Sequence, residues 1–430
     1  MEKLYLGIGR RDITPEIGAR LFGYQDNVYS TCVNDKLCTS AFVFKQGGEY
    51  TAVISVSVCL IDTDLCDNIR KKIEEEHNIP YSAIMISTTH THSGPYTASG
   101  AAVGKREDEY CDGILTPAIV GAVGDALKNL DEVTLGYAVG DSFAAINRRE
   151  PTPDGRIKLG QNKDGVFNPR MTVISFKTTE GKTKGTLIHY GMHGTTCGMN
   201  TEISRDWCGV MTDRIEDITD APCAFLNGPE GDIGPRLANG RTTANLEAMK
   251  EFAKIPAKDA ENIYGKIKDF ESAKIKSYLG TVKIPAKQRL SLAFAKDEYE
   301  KYLNERLLSI GLYWKKHYIK VIDSYNNGYE EVSEYKEEQL VIRLDNIVFV
   351  ATPYELFAEI GMNMQKGYDE LIVLPVSNAN GSKGYFPTEK EIPLGGYETQ
   401  SFRTRLIQPF VNDAEKYYVE ETKKNINKLV

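Results

Sequence analysis

The chain has 430 residues, of which 41% are hydrophobic and 26% are charged. These values are typical of a globular protein with a large buried core. The formal net charge is −8 and the basic residues are scattered along the sequence, which argues against a nucleic-acid partner because such binding needs a concentrated positive surface.

The N-terminal sequence begins Met-Glu-Lys-Leu-Tyr and lacks the apolar region of a secretory signal peptide. Nowhere does the sequence contain the roughly 18 consecutive apolar residues that a membrane-spanning helix needs. We therefore expect no transmembrane segment and a cytoplasmic location, or a secreted protein if a signal has been removed.

Strand-like and helical runs alternate along the sequence. The predicted strands are Ala41–Lys45, Thr51–Ile61, Ser82–Ser87, Met171–Phe176, Gly185–Tyr190, Ala221–Leu226, Gln339–Val350 and Leu371–Val376. The predicted helices are Thr63–His77, Cys111–Leu130, Cys208–Thr219, Tyr354–Lys366 and Ser401–Asn425. This alternation favours an α/β fold of mixed β-sheets covered by helices.

Residues 236–330 differ in composition from the rest of the chain. Lys, Glu and Ala are frequent there, and two helical stretches flank an extended piece near Tyr278–Val282. The sequence has no internal repeat, low-complexity tract or Pro/Ser-rich linker that would separate domains. We therefore expect a single catalytic domain over residues 1–430, with residues 236–330 as a helical insertion or lid.

Three of the six histidines lie in Gly-, Thr- and Ser-rich loops directly after predicted strands, where α/β proteins tend to bind ligands. They are His90, His92 and His193. Neutral imidazole is the commonest metal ligand in proteins. In an extended chain His90 and His92 would face the same side, as two metal ligands or as one ligand and one donor to substrate. Ordinary polar loop residues would give the same pattern.

The segment Asn227–Pro235 is a glycine-rich polar turn after an apolar strand. It contains Gly231, Asp232 and Gly234. Such a turn either brings backbone N–H groups close to a substrate or is closed by an Asx-type hydrogen bond. The sequence leaves both interpretations open.

Four further residues are candidates whose individual signals are weak. Arg148 offers a planar guanidinium that can bind a carbonyl or carboxylate, although most arginines lie on the surface. Glu355 opens a predicted helix, where a carboxylate often only interacts with the helix dipole. Tyr385 and Tyr397 lie in a Gly-rich loop and on their own indicate little.

Taken together and in this order, these segments resemble the neutral/alkaline (non-lysosomal) ceramidase family, whose members are zinc amidases that cleave the N-acyl bond of ceramide. The matching segments are Gly7-Ile8-Gly9, Asp12-Ile13-Thr14-Pro15, Thr89-His90-Thr91-His92-Ser93-Gly94-Pro95, Asn147-Arg148, His193-Gly194-Thr195, Gly231-Asp232, Pro353-Tyr354-Glu355, Gly384-Tyr385 and Gly396-Tyr397-Glu398. The resemblance spans about residues 5–400 and leaves most of residues 236–330 unmatched.

The resemblance assigns a role to each candidate. It implies a zinc ion held by His90, His193, Glu355 and Tyr385. It implies that His92, Arg148 and Tyr397 contact the scissile amide, and that Gly231, Asp232 and Gly234 belong to the substrate-binding part. The family has a serine where this chain has Gly234, so this part of the pattern differs.

We therefore expect a zinc-dependent hydrolase that uses zinc-activated water to cleave an amide bond. The difference at Gly234 predicts a small-molecule substrate that is smaller or more polar than ceramide. Two alternatives remain at this point: a metal-dependent ester or lactone hydrolase acting on a sugar-like compound, and a non-catalytic binding protein with the same fold.

Overall fold

The computed structural model describes residues 2–24, 27–99, 104–303 and 309–430. The strands, in chain order, are β1 (Leu4–Asp12), β2 (Cys32–Val33), β3 (Cys38–Gln46), β4 (Glu49–Val56), β5 (Ile84–Thr88), β6 (Asp131–Asp141), β7 (Ala145–Pro151), β8 (Ile157–Asn162), β9 (Arg170–Thr178), β10 (Thr183–Tyr190), β11 (Glu202–Ile203), β12 (Cys223–Asn227), β13 (Ile233–Pro235), β14 (Ile275–Pro285), β15 (Glu334–Leu344), β16 (Ile347–Ala351), β17 (Glu355–Leu356), β18 (Ile372–Val376) and β19 (Tyr385–Phe386). The helices are α1 (Thr63–His77), α2 (Asp108–Tyr110), α3 (Thr116–Leu127), α4 (Asp206–Thr219), α5 (Leu246–Phe252), α6 (Lys254–Tyr264), α7 (Leu292–Lys301), α8 (Ser309–Asn326), α9 (Ala358–Gln365), α10 (Tyr397–Thr404) and α11 (Ala414–Ile426).

Two mixed sheets contain most of the strands. The larger sheet has eight strands in the order β12-β10-β9-β6-β1-β3-β4-β5, and the smaller has four in the order β14-β15-β16-β18. The pairs β4–β5, β10–β12 and β16–β18 are parallel, and the other neighbours in these two sheets are antiparallel. The predicted α/β class with mixed sheets is confirmed.

Strand β3 shows why these sequences form buried strands. Successive side chains of a strand point to opposite faces of the sheet. Ala41 and Val43 therefore pack toward the helices on one face, and Phe42 and Phe44 pack toward the smaller sheet on the other. Because both faces are buried, the strand is apolar at every one of these positions and shows no polar alternation.

The packing of these elements produces four layers. Helices α1 and α3 cover one part of the outer face of the larger sheet, and α4, α5 and α6 cover the other part. The smaller sheet packs on the inner face of the larger one, and α11 covers the outer face of the smaller sheet. Within the described residues, no helix has the length and apolarity needed to cross a membrane.

Several predicted elements differ from the structure. The predicted strand Gln339–Val350 is a hairpin of β15 and β16, with Asp345 in a left-handed conformation between them. The predicted helix Ser401–Asn425 is divided into α10 and α11, and Pro409, which cannot continue a helix, lies in the connection. The predicted helix Tyr354–Lys366 begins only at α9, because β17 precedes it.

Residues 236–330 contain a strand as well as helices. Strand β14 is paired along its whole length with β15, so this part of the segment belongs to the smaller sheet. Helix α8 lies against α10, beside the cavity described below. The assignment of this segment as an insertion or lid stays a prediction.

Two glycines on β1 allow α3 to pack unusually close to the larger sheet. A Cβ atom at Gly7 would lie 1.9 Å from the carbonyl oxygen of Ala126, and one at Gly9 would lie 1.9 Å from that of Ala122. Neither neighbour is a flexible side chain, so a substitution has to move the helix away from the sheet.

We predict that Gly7→Ala lowers the free energy of unfolding by about 1–3 kcal/mol, the usual cost of overpacking a core. Calorimetric melting of the variant measures this loss. Gly48→Ala is the matched control, because no atom lies within 4 Å of the Cβ position there. Equal melting temperatures for the two variants would contradict the close contact between β1 and α3.

Candidate active site

His90 follows β5 in a left-handed backbone conformation, with a φ angle of 64°. Such angles are uncommon outside glycine and occur often at functional sites. Nδ1 of His90 lies 3.1 Å from the carbonyl oxygen of Cys59. Because a carbonyl oxygen only accepts hydrogen bonds, Nδ1 carries the proton and Nε2 presents a lone pair.

His193 lies in the loop after β10 and is oriented in the same way. Its Nδ1 lies 2.8 Å from the carbonyl oxygen of Glu230 and 3.1 Å from that of Ile233. This ring therefore also presents an unprotonated Nε2. The next residue, Gly194, allows the two histidine loops to touch, since a Cβ there would lie 2.5 Å from the carbonyl oxygen of His90.

Glu355 lies on β17 and not in the first turn of a helix, which corrects the sequence-based prediction. Strand β17 pairs in parallel with β19, and this pairing places Glu355 opposite Tyr385. The N–H of Glu355 donates to the carbonyl oxygen of Gly384 at 3.1 Å. A two-residue strand is too short to give a sequence pattern, yet it makes these two predicted ligands neighbours.

The two histidines converge on the carboxylate of Glu355. Its Oε2 lies 3.2 Å from Nε2 of His193 and 3.5 Å from Nε2 of His90. Burial lowers the pKa of both histidines well below the usual value, so the contacts do not pair a protonated imidazole with a carboxylate. Among the described residues, Nε2 of His193 and Oε2 of Glu355 also have no hydrogen-bond partner. Electron-rich atoms at these distances repel each other unless a cation lies between them. Burial raises the pKa of Glu355, so a proton or a metal ion can fill this place.

The spacing of these atoms fits a metal ion. A tetrahedral zinc site with bonds of about 2.0–2.1 Å has ligand atoms roughly 3.3–3.4 Å apart. The two measured distances of 3.2 and 3.5 Å are close to this value. Neutral imidazole and carboxylate are both ordinary ligands of divalent transition metals. His90, His193 and Glu355 therefore form a candidate metal centre.

A second group of possible ligands, formed by Cys59, His90 and His92, fits a metal less well. Burial raises the pKa of the Cys59 thiol well above its usual value, which disfavours the thiolate that metals bind. Nε2 of His92 lies 3.3 Å from Nε2 of His90. The grouping that contains Glu355 and His193 does not include His92.

Arg148 joins the predicted substrate-binding residues to the candidate metal centre. Its Nη2 donates to the hydroxyl of Tyr385 at 3.0 Å, and its Nε donates to Glu398 at 3.0 Å. Burial acts against the charged form of Arg148, but attraction to Tyr385, Glu398 and Glu355 outweighs it and raises the pKa. The ring of Tyr397 packs edge-on against Tyr385, with centroids 5.4 Å apart.

A cavity of about 310 Å³ opens in front of these residues. Of the predicted site residues, its wall includes His90, His92, Glu355, Tyr385 and Tyr397. His193 and Arg148 lie directly behind that wall, in contact with Glu355 and Tyr385. The structure thus brings together all seven residues predicted to bind metal or to contact the scissile bond.

Gly231 and Asp232 are not on the wall of this cavity. The two carboxylate oxygens of Asp232 accept hydrogen bonds from the side chain of Asn147 at 2.9 Å and from the N–H of Ala358 at 2.8 Å. Burial raises the pKa of Asp232 to about 7. Its contacts connect β7 to the start of α9, and its substrate-binding role stays a prediction.

Gly234 lies on β13, paired with Ile146 of β7, and also outside the cavity wall. A Cβ atom at this position would lie 2.7 Å from Cβ and Cγ2 of Thr242. A side chain larger than hydrogen therefore requires Thr242 to move. The predicted substrate-binding role of Gly234 is likewise untested by these contacts.

Three buried polar residues of the site were missed in the sequence: Glu230, Asn378 and Glu398. Nδ2 of Asn378 donates to Glu230 at 2.7 Å and lies 3.3 Å from Nδ1 of His90. Glu398 accepts the hydrogen bond from Arg148. Glu230 and Asn378 follow apolar strands, which is the signal that identified the histidines, and Glu398 adjoins a predicted tyrosine.

A family model described as "Neutral/alkaline non-lysosomal ceramidase, N-terminal" matches residues 4–283. The chain belongs to this family. The resemblance seen in the sequence is therefore confirmed, and the chain is a ceramidase-like hydrolase.

Solved structures show the same fold. The neutral ceramidase from Pseudomonas aeruginosa is 16% identical, with a TM-score of 0.74 over 100% of this chain and 75% of that chain. A structure described as a ceramidase complexed with C2 is 17% identical, with a TM-score of 0.76 over 100% of this chain and 75% of that one. At these identities the likeness establishes the fold, and the family's α/β architecture is shared.

The geometry predicts different effects of two neighbouring histidines on metal content. We expect His193→Ala to lose most of its bound metal, because it removes one of three converging donors. His92→Ala should keep its metal. Elemental analysis of the purified proteins measures the stoichiometry. His77→Ala is the control, because His77 belongs to neither group of possible ligands and contacts the carbonyl oxygen of Val120. Equal metal in wild type and His193→Ala would contradict the assignment of His193.

Proposed function

We propose that the chain is a zinc-dependent amidase in which His90, His193, Glu355 and Tyr385 hold the ion. The observation that carries the proposal is the convergence of two imidazole lone pairs on a buried carboxylate. Nitrogen-containing ligand sets favour zinc over magnesium and calcium, which prefer oxygen ligands. A cytoplasmic location remains part of the same proposal.

Tyr385 is the ligand that depends most on its surroundings. It is paired with Glu355 across β17 and β19, and its hydroxyl accepts a hydrogen bond from Arg148 at 3.0 Å. Burial raises the pKa of Tyr385 well above its usual value. Its phenol can therefore ionise only beside positive charge, which Arg148 and a metal ion would provide together.

The other residues of the cavity suit an acyl-transfer reaction. Zinc, when bound, supplies a Lewis acid and lowers the pKa of a water molecule to about 7. His92, Arg148 and Tyr397 would donate hydrogen bonds to the carbonyl oxygen as it gains negative charge. Nε and Nη2 of Arg148 are held by Glu398 and Tyr385, so we assign its Nη1 edge to the substrate.

The substrate we propose is an amide smaller or more polar than ceramide. A cavity of about 310 Å³ is at the lower end of the range for pockets that enclose drug-sized ligands. Membership of the ceramidase family supports cleavage of an N-acyl bond.

A panel of N-acyl amides, esters and lactones, assayed with and without a chelator, tests this function. We expect chelator-sensitive hydrolysis of short-chain amides and poor turnover of ceramide. Chelator-resistant activity would contradict the metal-dependent mechanism. Faster turnover of esters or lactones would contradict the amide assignment, and inactivity on the whole panel with full metal content would favour a binding protein.

The same panel tests the role of Gly234. We predict that Gly234→Ser does not raise activity and melts at a lower temperature, because its Cβ would meet Thr242 at 2.7 Å; such overpacking typically costs about 1–3 kcal/mol. Activity that appears only in the serine variant would show that a hydroxyl at this position is needed for the reaction.

We further predict that Arg148→Lys lowers kcat by about 10²–10³, the usual loss when one donor to a developing oxyanion is removed. Lysine cannot replace the planar guanidinium that contacts Tyr385 and Glu398 together. The control is Arg156→Lys, whose side chain is 84% exposed. Steady-state kinetics with equal metal content measure the effect, and an Arg148→Lys variant as active as wild type would rule out this role.

A further inference from the structure

The cavity in front of the candidate metal centre has a second, strongly basic part. Four cationic side chains line it: Lys316, Lys320, Lys383 and Arg405. All four follow residue 283, where the match to the family model ends. Apolar lining comes from other segments and includes Phe22, Leu60 and Ala98.

Helix α8 carries two of these cationic side chains and also Tyr313, which contacts a predicted substrate-binding residue. Tyr313, Lys316 and Lys320 recur at helical spacing, so they share the face that lines the cavity. The hydroxyl of Tyr313 lies 3.4 Å from that of Tyr397. The lysines are therefore on the helix that adjoins the predicted substrate-binding tyrosine.

Arg405 is held rigidly within this group. One of its terminal nitrogens donates to the carbonyl oxygen of Lys383, and Nη2 donates to the hydroxyl of Tyr354 at 3.3 Å. Its guanidinium also lies 4.8 Å from the centre of the Tyr354 ring. Nε of Arg405 is buried and has no hydrogen-bond partner among residues that the structure describes.

Of the carboxylates that the structure describes near this cluster, one pairs with Lys383 and two are engaged elsewhere. Nζ of Lys383 lies 3.4 Å from Glu337, whose two oxygens also accept from the hydroxyl of Tyr354. Asp62 lines the cavity but accepts from the N–H of Ser99 and pairs with Arg106. Glu355, the other described carboxylate on the wall, faces the histidines.

The charges of the cluster also act on one another. Nζ of Lys320 donates to the carbonyl oxygen of Arg405 at 3.4 Å. Partial burial of the Lys320 ammonium lowers its pKa, and the nearby positive charges of Lys316 and Arg405 lower it further. Cations held this close are unfavourable alone and become favourable when an anion binds between them.

We propose that the substrate is an amide that carries an anionic group, recognised by Lys316, Lys320 and Arg405 while the acyl bond lies at the metal centre. This inference rests on the proposed function and gives its substrate class. A carboxylate, as in an N-acyl amino acid, or a phosphate would supply the same charge. Lys383, already close to Glu337, contributes less.

Three short-chain amides that differ in one group test the proposal on the metal-loaded protein. They are N-hexanoylserine, its neutral analogue N-hexanoylserinol, and N-hexanoylserinol phosphate. We expect kcat/KM for at least one of the two anions to exceed that for the serinol by about tenfold or more, the order expected for charge-assisted contacts. The more efficient anion identifies the group recognised.

The double variant Lys316→Gln/Lys320→Gln should lose most of this preference, and higher salt should weaken it in wild type because exposed charges are screened. Lys315→Gln is the matched control: it removes a charge from the same helix at a position that does not line the cavity. Equal kcat/KM for all three amides in wild type would overturn the anionic-substrate proposal and leave the amidase function standing.

Inactivity on all three amides would instead count against the amidase function. Calorimetric titration then tests the anionic-substrate proposal separately, because it measures the binding affinity of the same compounds and does not require their hydrolysis. Tighter binding of an anion than of the serinol, lost in the double lysine variant and kept in Lys315→Gln, would support it. Equal affinities, or no binding, would overturn it.

Discussion

The arrangement of the site depends on the repulsion between lone pairs that the fold forces together. Backbone carbonyl oxygens fix the protons of His90 and His193 on Nδ1, so both Nε2 atoms point at the carboxylate of Glu355. Burial keeps these imidazoles neutral by lowering their pKa. The surrounding packing must therefore hold an arrangement that is unfavourable for a charged carboxylate alone and favourable once a proton or a metal ion lies between these atoms.

The two sheets provide this packing. His90 follows β5 and His193 follows β10, and each of these strands is half of a parallel pair. Glu355 follows β16, which belongs to the parallel pair of the smaller sheet. Parallel neighbours end at the same edge, where α/β proteins commonly bind ligands. Because the two sheets share one apolar core, their carboxyl ends supply donors to a common point.

The sequence was informative where the pattern is long or the chemistry is distinctive. Helix α1 has the predicted bounds Thr63–His77, and its buried residues from Leu65 to Ile73 repeat at helical spacing. The histidine loops were recognisable because polar clusters followed apolar strands. The extended conformation of Glu355 could not be recognised in the sequence. It depends on a two-residue pairing with β19, which has no local signal and involves a segment 30 residues away. His317, which the sequence places among charged residues, is buried where α8 packs against α10. That tertiary contact has no local signal either.

The proposed metal ligands come from two parts of the chain, and the basic cluster comes from the second of them. His90 and His193 lie within the residues that define the family, whereas Glu355, Tyr385 and the basic cluster follow residue 283. Helix α8 contacts the candidate active site through the hydroxyls of Tyr313 and Tyr397, and not through the proposed metal ligands. Changes in α8 can therefore alter the charge of the cavity without moving the histidines, because those are fixed by backbone carbonyls of the larger sheet's loops. The match to the family model accordingly includes two of the four proposed metal ligands and none of the basic cluster.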